Sequence, residues 1–111
     1  MELSMIPTVK KFKFTEYKEL LKELEFTVAC EKVSGSELLI IEEEGNSSGA
    51  KFTQSALRAL KLMKRDGVIK LFVSASEILN PEKMEGVYLL NKFPQIAEAD
   101  NSSETKIYIK L

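Results

Sequence analysis

The chain has 111 residues, of which 44% are apolar and 30% charged, a mixture that suits one globular domain and excludes a disordered or membrane-embedded chain. It contains no histidine and one cysteine, Cys30, which excludes Ser-His-Asp and Cys-His catalysis within the chain and any internal disulfide. Net charge is −1, but residues 1–50 carry 6 basic and 10 acidic side chains and residues 51–111 carry 10 and 7, so the two halves stand at −4 and +3.

The first predicted element is a strand over 9–14, VKKFKF, with Phe12 and Phe14 on one face and Lys11 and Lys13 on the other. TEYKELLKELE (15–25) predicts a helix. Thr15 serves as its N-cap, and Tyr17, Leu20, Leu21 and Leu24 form one apolar stripe. FTVACEKV (26–33) and ELLIIEEE (37–44) predict an antiparallel hairpin around Ser34-Gly35-Ser36. On that reading Cys30 is a small buried hydrophobe in mid-strand.

A loop at 45–50 leads into a second helix, with Thr53 as N-cap, Phe52 and Leu57 as a hydrophobic staple, and Gly67 as the residue that ends it. Phe52, Ala56, Ala59, Leu60 and Met63 make its apolar face. VIKLFVSAS (68–76) predicts a strand. Asn80-Pro81-Glu82 predicts a helix start, and GVYLLNKF (86–93) fits strand or helix equally. A polar loop over 94–105 precedes KIYIKL (106–111), an alternating C-terminal strand. These elements predict a small single-domain α+β sandwich over residues 1–111. Its sheet is mainly antiparallel with two main helices on one face. The order through residue 76 is that of a ferredoxin-like βαββαβ plait, followed by C-terminal additions.

The stretch GNSSGAKFTQSALRALKLMKRD (45–66) raises the question of a phosphate-binding loop. The P-loop pattern is not met. Gly45 and Gly49 are one residue too close, Phe52 stands where the magnesium-binding hydroxyl belongs, and Glu42, Glu43 and Glu44 would repel a nucleotide. A different signal remains. Arg58, Lys61 and Arg65 fall at i, i+3 and i+7 with no acid among them, and Lys51 lies on the same side if the helix starts early. A stripe of one sign is the electrostatic footprint expected for a phosphate backbone, and an internal clasp by Glu42, Glu43 and Glu44 is the competing reading.

In KIYIKL, Lys106, Tyr108 and Lys110 share one strand face, an aromatic ring between ammonium groups that would stack a base and hold its phosphates. The run resembles the aromatic strand motif of RNA-recognition-motif domains. It lacks the asparagine before the final leucine, falls on the last strand instead of the first, and has no glycine-aromatic companion, so it names no family. The alternative is an edge strand guarded against aggregation by its lysines.

The sequence therefore predicts a non-enzymatic binding or regulatory module with no catalytic residues, no cofactor and no metal site. One reading has it contact nucleic acid or another polyanion through Lys51, Arg58, Lys61, Arg65, Lys106, Tyr108 and Lys110. The alternative is a protein-interaction module, whether inhibitor, adaptor or homo-oligomer. No apolar run approaches the roughly 20 residues of a membrane span, and the start MELSMIPTVKK has no signal-peptide pattern. The expectation is a cytoplasmic protein with no membrane partner.

Overall fold

The computed structural model describes residues 8–45, 48–99, 101 and 105–111. The N-terminal stretch, the loop 45–50 and the polar loop 94–105 therefore lie partly outside the described residues. In chain order the elements are β1 (Thr8–Phe12), α1 (Tyr17–Val33), β2 (Leu38–Glu43), α2 (Lys51–Arg65), β3 (Leu71–Ser74), α3 (Ala75–Leu79), α4 (Met84–Lys92), a 3-10 turn (Pro94–Glu98) and β4 (Ile107–Lys110).

The strands form one mixed sheet in the order β1-β2-β4-β3. β1 runs parallel to β2, with α1 as the crossover that a parallel pair needs. β4 is antiparallel to both of its neighbours, with Ile40 opposite Tyr108 and Val73 opposite the same tyrosine on the other side. The unbroken apolar run Leu38-Leu39-Ile40-Ile41 follows from this arrangement, because both faces of β2 are covered. Leu39 and Ile41 pack with Ile107 and Ile109 against Leu20, Leu24 and Val28 of α1 and Phe52, Ala56, Leu60 and Met63 of α2. On the opposite face Leu38, Ile40, Val73 and Tyr108 pack with Ile78, Leu89, Phe93 and Ile96. The α+β class and the two helices on one face are as expected. The C-terminal elements add a third layer on the other face.

The βαββαβ order is not confirmed, because 26–33 is no strand. It forms the last two turns of α1. Val28 and Glu31 continue the stripe Leu20-Leu24 toward the core, and that period of 3.6 outweighs the β propensity of FTVAC. The helix stops at Gly35, whose φ is +83°. There the N–H of Ser36 donates to the Glu31 carbonyl at 3.0 Å and that of Gly35 to the Lys32 carbonyl at 3.1 Å, a Schellman pair. Gly67, with φ +77°, ends α2 in the same way, as the sequence predicts.

Other boundaries shift. Glu16 and not Thr15 occupies the N-cap of α1, and the Thr15 hydroxyl donates to the Glu19 carboxylate at 2.9 Å. α2 starts at Lys51 with Ala50 as N-cap, so Thr53 lies inside its first turn. The strand expected over 68–76 shortens to β3, and its last residues enter α3. α4 begins at Met84, three residues beyond Pro81, and 86–93 is mostly helical. Pro81 instead packs on Gly86, where an added Cβ would lie 3.4 Å from the proline Cβ and 3.2 Å from the Glu77 carbonyl oxygen. Leu71, the first residue of β3, is only half-buried.

Leu60 is fully buried between α2 and the sheet. Leu60→Ala is expected to lower unfolding free energy by about 2–5 kcal/mol through lost transfer energy and a cavity. Urea denaturation measures it, and a loss within the ~0.5 kcal/mol of an ordinary surface change would contradict the packing described.

Candidate functional site

The α2 helix presents its basic residues as its burial pattern requires. Its apolar face is consumed by the core, so Lys51, Arg58, Lys61 and Arg65 all remain at the surface. Two of them have neighbours that fix them. The Arg58 guanidinium lies 4.1 Å above the centre of the Tyr17 ring, and the Arg65 Nε lies 3.2 Å from the Asp66 carboxylate. Lys64, the residue before Arg65, pairs with Glu85 of α4 at 3.8 Å.

The glutamates expected to clasp this face do not. Among the described residues no ion pair joins Glu42, Glu43 or Glu44 to Arg58, Lys61 or Arg65. Glu43 points into the α1–α2 side of the sheet and is buried there. One of its oxygens accepts from the Ser48 hydroxyl at 2.6 Å, and the other has no hydrogen-bond partner among the described residues.

The C-terminal strand is not an edge. β4 sits between β2 and β3, so Tyr108 is fully buried and Lys110 nearly so. The Tyr108 ring packs in the α3–α4 layer, and its hydroxyl donates to the Asn101 side-chain oxygen. The Asn101 amide in turn donates to the carbonyls of Ile96 at 3.0 Å and Ala99 at 3.2 Å. This tyrosine holds the end of the 3-10 turn to the sheet and offers no face to a base. Burial pushes the Lys110 ammonium below its ordinary pKa, helped by repulsion from Lys70 and Lys92 and opposed by Glu37 at 3.8 Å. Lys106 is half-buried. The seven residues expected to act together thus divide. Four lie on α2, and Tyr108 faces the opposite layer of the fold.

A second surface lay hidden behind the strand reading of 26–33. Once that segment is helical, Phe26, Ala29, Cys30 and Val33 fall at i, i+3, i+4 and i+7 on the face of α1 opposite its core stripe. Phe26 is 70% exposed and Val33 89%, and Cys30, expected to be buried, is exposed beside them. Phe26, at one end of this stripe, adjoins the outer edge of the sheet. A groove of about 320 Å³ runs between β1 and α1, lined by Lys10, Lys11, Lys22, Glu23, Phe26 and Thr27. The helical period of the outer apolar residues was the signal available in the sequence.

Glu31 ties the two elements of the groove together. The Ser36 hydroxyl donates to its carboxylate at 2.8 Å, and the Thr8 side chain and Lys10 charge of β1 both favour its ionised form. Together they hold the carboxyl below its ordinary pKa although burial opposes the shift. No cluster of three or more metal-ligating side chains occurs among the described residues, and no helix among them is long and apolar enough to cross a membrane. No protein-family model matches the chain, and no curated protein or solved structure matches it significantly.

A carboxylate with a depressed folded pKa stabilises the native state above its unfolded pKa, and that stability is lost as pH falls through the folded value. Glu31 is therefore expected to contribute at neutral pH and to drop out below the usual carboxylate range. Glu31→Gln should lower stability at neutral pH and flatten its decline on acidification. Denaturation midpoints across acid pH measure both effects, and parallel curves for the two proteins would contradict the role.

Proposed function

We propose that this chain is a non-enzymatic module that engages another protein through the outer face of α1 beside the edge of β1. The observation that carries the reading is the exposure of Phe26 and Val33, 70% and 89%, on a helix whose opposite face already fills the core. A core helix gains nothing from a second apolar face in water. Contiguous apolar surface rimmed by charge is the mark of a docking site. The groups around it are mainly lysine and apolar side chains, and the chain has no histidine, the commonest general base.

A second reading is favoured by the surface position of Lys51, Arg58, Lys61 and Arg65. These charges would grip phosphate without reading sequence. The buried Tyr108 and Lys110 add nothing to it, and two of its four residues are held by Tyr17 and Asp66.

Photo-cross-linking in cell extract separates the two, with the cross-linking group placed at Ala29 or at Lys61, one exposed position on each surface. The expected result is a discrete protein adduct from position 29 that Phe26→Ser with Val33→Ser abolishes. Replacing Lys51, Arg58, Lys61 and Arg65 by glutamine should leave that adduct intact. Nuclease-sensitive adducts from position 61 would transfer the function to α2. Binding to nucleic acid should then show a log K against log salt slope that falls by about 0.7–0.9 for each phosphate-binding charge removed.

A further inference from the structure

We infer that the partner enters as an extended acidic segment that adds a fifth strand along the open edge of β1. The inference rests on the docking-face reading and names what that face binds. Among the described residues, β1 is bonded to β2 on one side and to no strand on the other. The Phe12 carbonyl accepts from the Glu44 N–H at 2.7 Å, so the peptide groups of Phe12, and of Lys10 and Thr8 in phase with it, face β2. Those of Val9 and Lys11 face the other way, out of the sheet. They are the donors and acceptors that a guest strand would use.

The side-chain requirements follow from the same phase. Phe12 is buried, and Thr8 and Lys10 reach toward the Glu31 carboxylate, so these residues face α1. A guest strand beside β1 would point alternate residues toward α1, into the groove between Lys10, Lys22 and Phe26. Three lysines line the groove beside one acid, Glu23, and with Glu31 beneath it near Lys10 the ammonium groups still outnumber the carboxylates among the described residues. Acidic side chains on that face of the guest would meet the ammonium groups, and an apolar one would cover Phe26.

A second copy of the chain fits poorly. Antiparallel pairing of β1 with itself, centred on Lys10 or on Lys11, sets lysine opposite lysine, which destabilises a strand pair. The other sheet edge is also less suited. Beside β3, Lys64 of α2 pairs with Glu85 of α4, joining helices on opposite faces of the sheet, and Lys83 pairs with Glu77 at 3.9 Å. Two of the three lysines beside β3 are held in ion pairs, whereas among the described residues no ion pair holds Lys10, Lys11 or Lys22.

The test uses the full chain, labelled for amide exchange, and a peptide alternating glutamate and valine over about ten residues. The matched lysine-valine peptide and a copy N-methylated on alternate amides are controls. The expected result is saturable binding of the glutamate peptide alone, with new protection at the N–H groups of Val9 and Lys11. Lys10→Glu with Lys22→Glu should weaken it by about tenfold or more, since two attractive charges become repulsive, and N-methylation should abolish it. Binding of both charge types alike overturns the acidic partner. Shifts confined to Phe26, Cys30 and Val33, with Val9 and Lys11 unprotected, overturn strand addition but leave a docking face on α1. No shift on either element overturns the inference, and a position-29 adduct abolished by the Phe26→Ser and Val33→Ser pair would show that the docking-face reading survives it. Protection of Val9 and Lys11 by oligouridylate assigns the edge to nucleic acid. Protection in the peptide-free protein that rises with concentration, at a doubled solution mass, assigns it to a second copy. Either of these results overturns the inferred partner.

Discussion

Strand β4 hydrogen-bonds to β2 on one side and β3 on the other, and it joins them into one sheet. Its side chains alternate between two cores. Ile107 and Ile109 go to the α1–α2 layer, and Tyr108 goes to the layer of α3 and α4. The last residues of the chain therefore complete the middle of the fold. β2 and β3 do not pair with each other, and without β4 between them the two apolar layers have no common floor. This placement also decides which strands remain at the edges. β1 and β3 are exposed because the C-terminal segment takes the centre, and the aromatic-lysine pattern of that segment is consumed in forming it.

The parts of this arrangement that were legible in the sequence are those governed by one local signal. The apolar face of α2 and its terminating Gly67 stand as read, since period and glycine agree there. Residues 26–33 were misread because two local signals conflict. Phe26, Thr27, Val28 and Cys30 favour a strand in isolation, while Val28 and Glu31 extend the helical stripe begun at Leu20. Packing settled the conflict, as it does when a helix already has a face in the core. KIYIKL shows a different limit. Alternation of lysine and apolar residues is the pattern of an edge strand, and nothing local reports that neighbours will bury Lys110 to 5% exposure. Strand order is a property of the whole chain. The candidate site inherited both errors: Tyr108 and Lys110 were assigned to a surface, and the outer face of α1 was assigned to a sheet.

The helices α1 and α2 pack side by side on one face of the sheet, yet their outer faces differ in kind. That of α2 is basic and long-chained, so it is well solvated where it stands. That of α1 carries Phe26 and Val33 in water. Magnitudes decide which is the better grip for a protein. Burying a phenylalanine or valine side chain contributes about 1.5–3 kcal/mol, whereas an exposed ion pair contributes about 0.2–1 kcal/mol. Affinity on the α1 side would come chiefly from the apolar stripe. Lys10, Lys11 and Lys22 would set which partners are admitted and how fast they arrive.

An open sheet edge is a hazard as well as an opportunity, because any extended chain can pair with it. The two edges here meet that hazard differently. β3 has four residues, and side chains from the layers above and below it close on each other through Lys64 and Glu85. β1 has five residues and relies on charge, with Lys10 and Lys11 in its middle and Lys22 beside it on α1. Charge of one sign repels the strand's own copies but not an acidic chain, so it is selective by nature. The same lysines that would oppose the pairing of two copies of this chain would lower the cost of admitting an acidic strand. At β1, protection against self-association and recognition of the proposed partner would therefore be one electrostatic property, read with opposite sign.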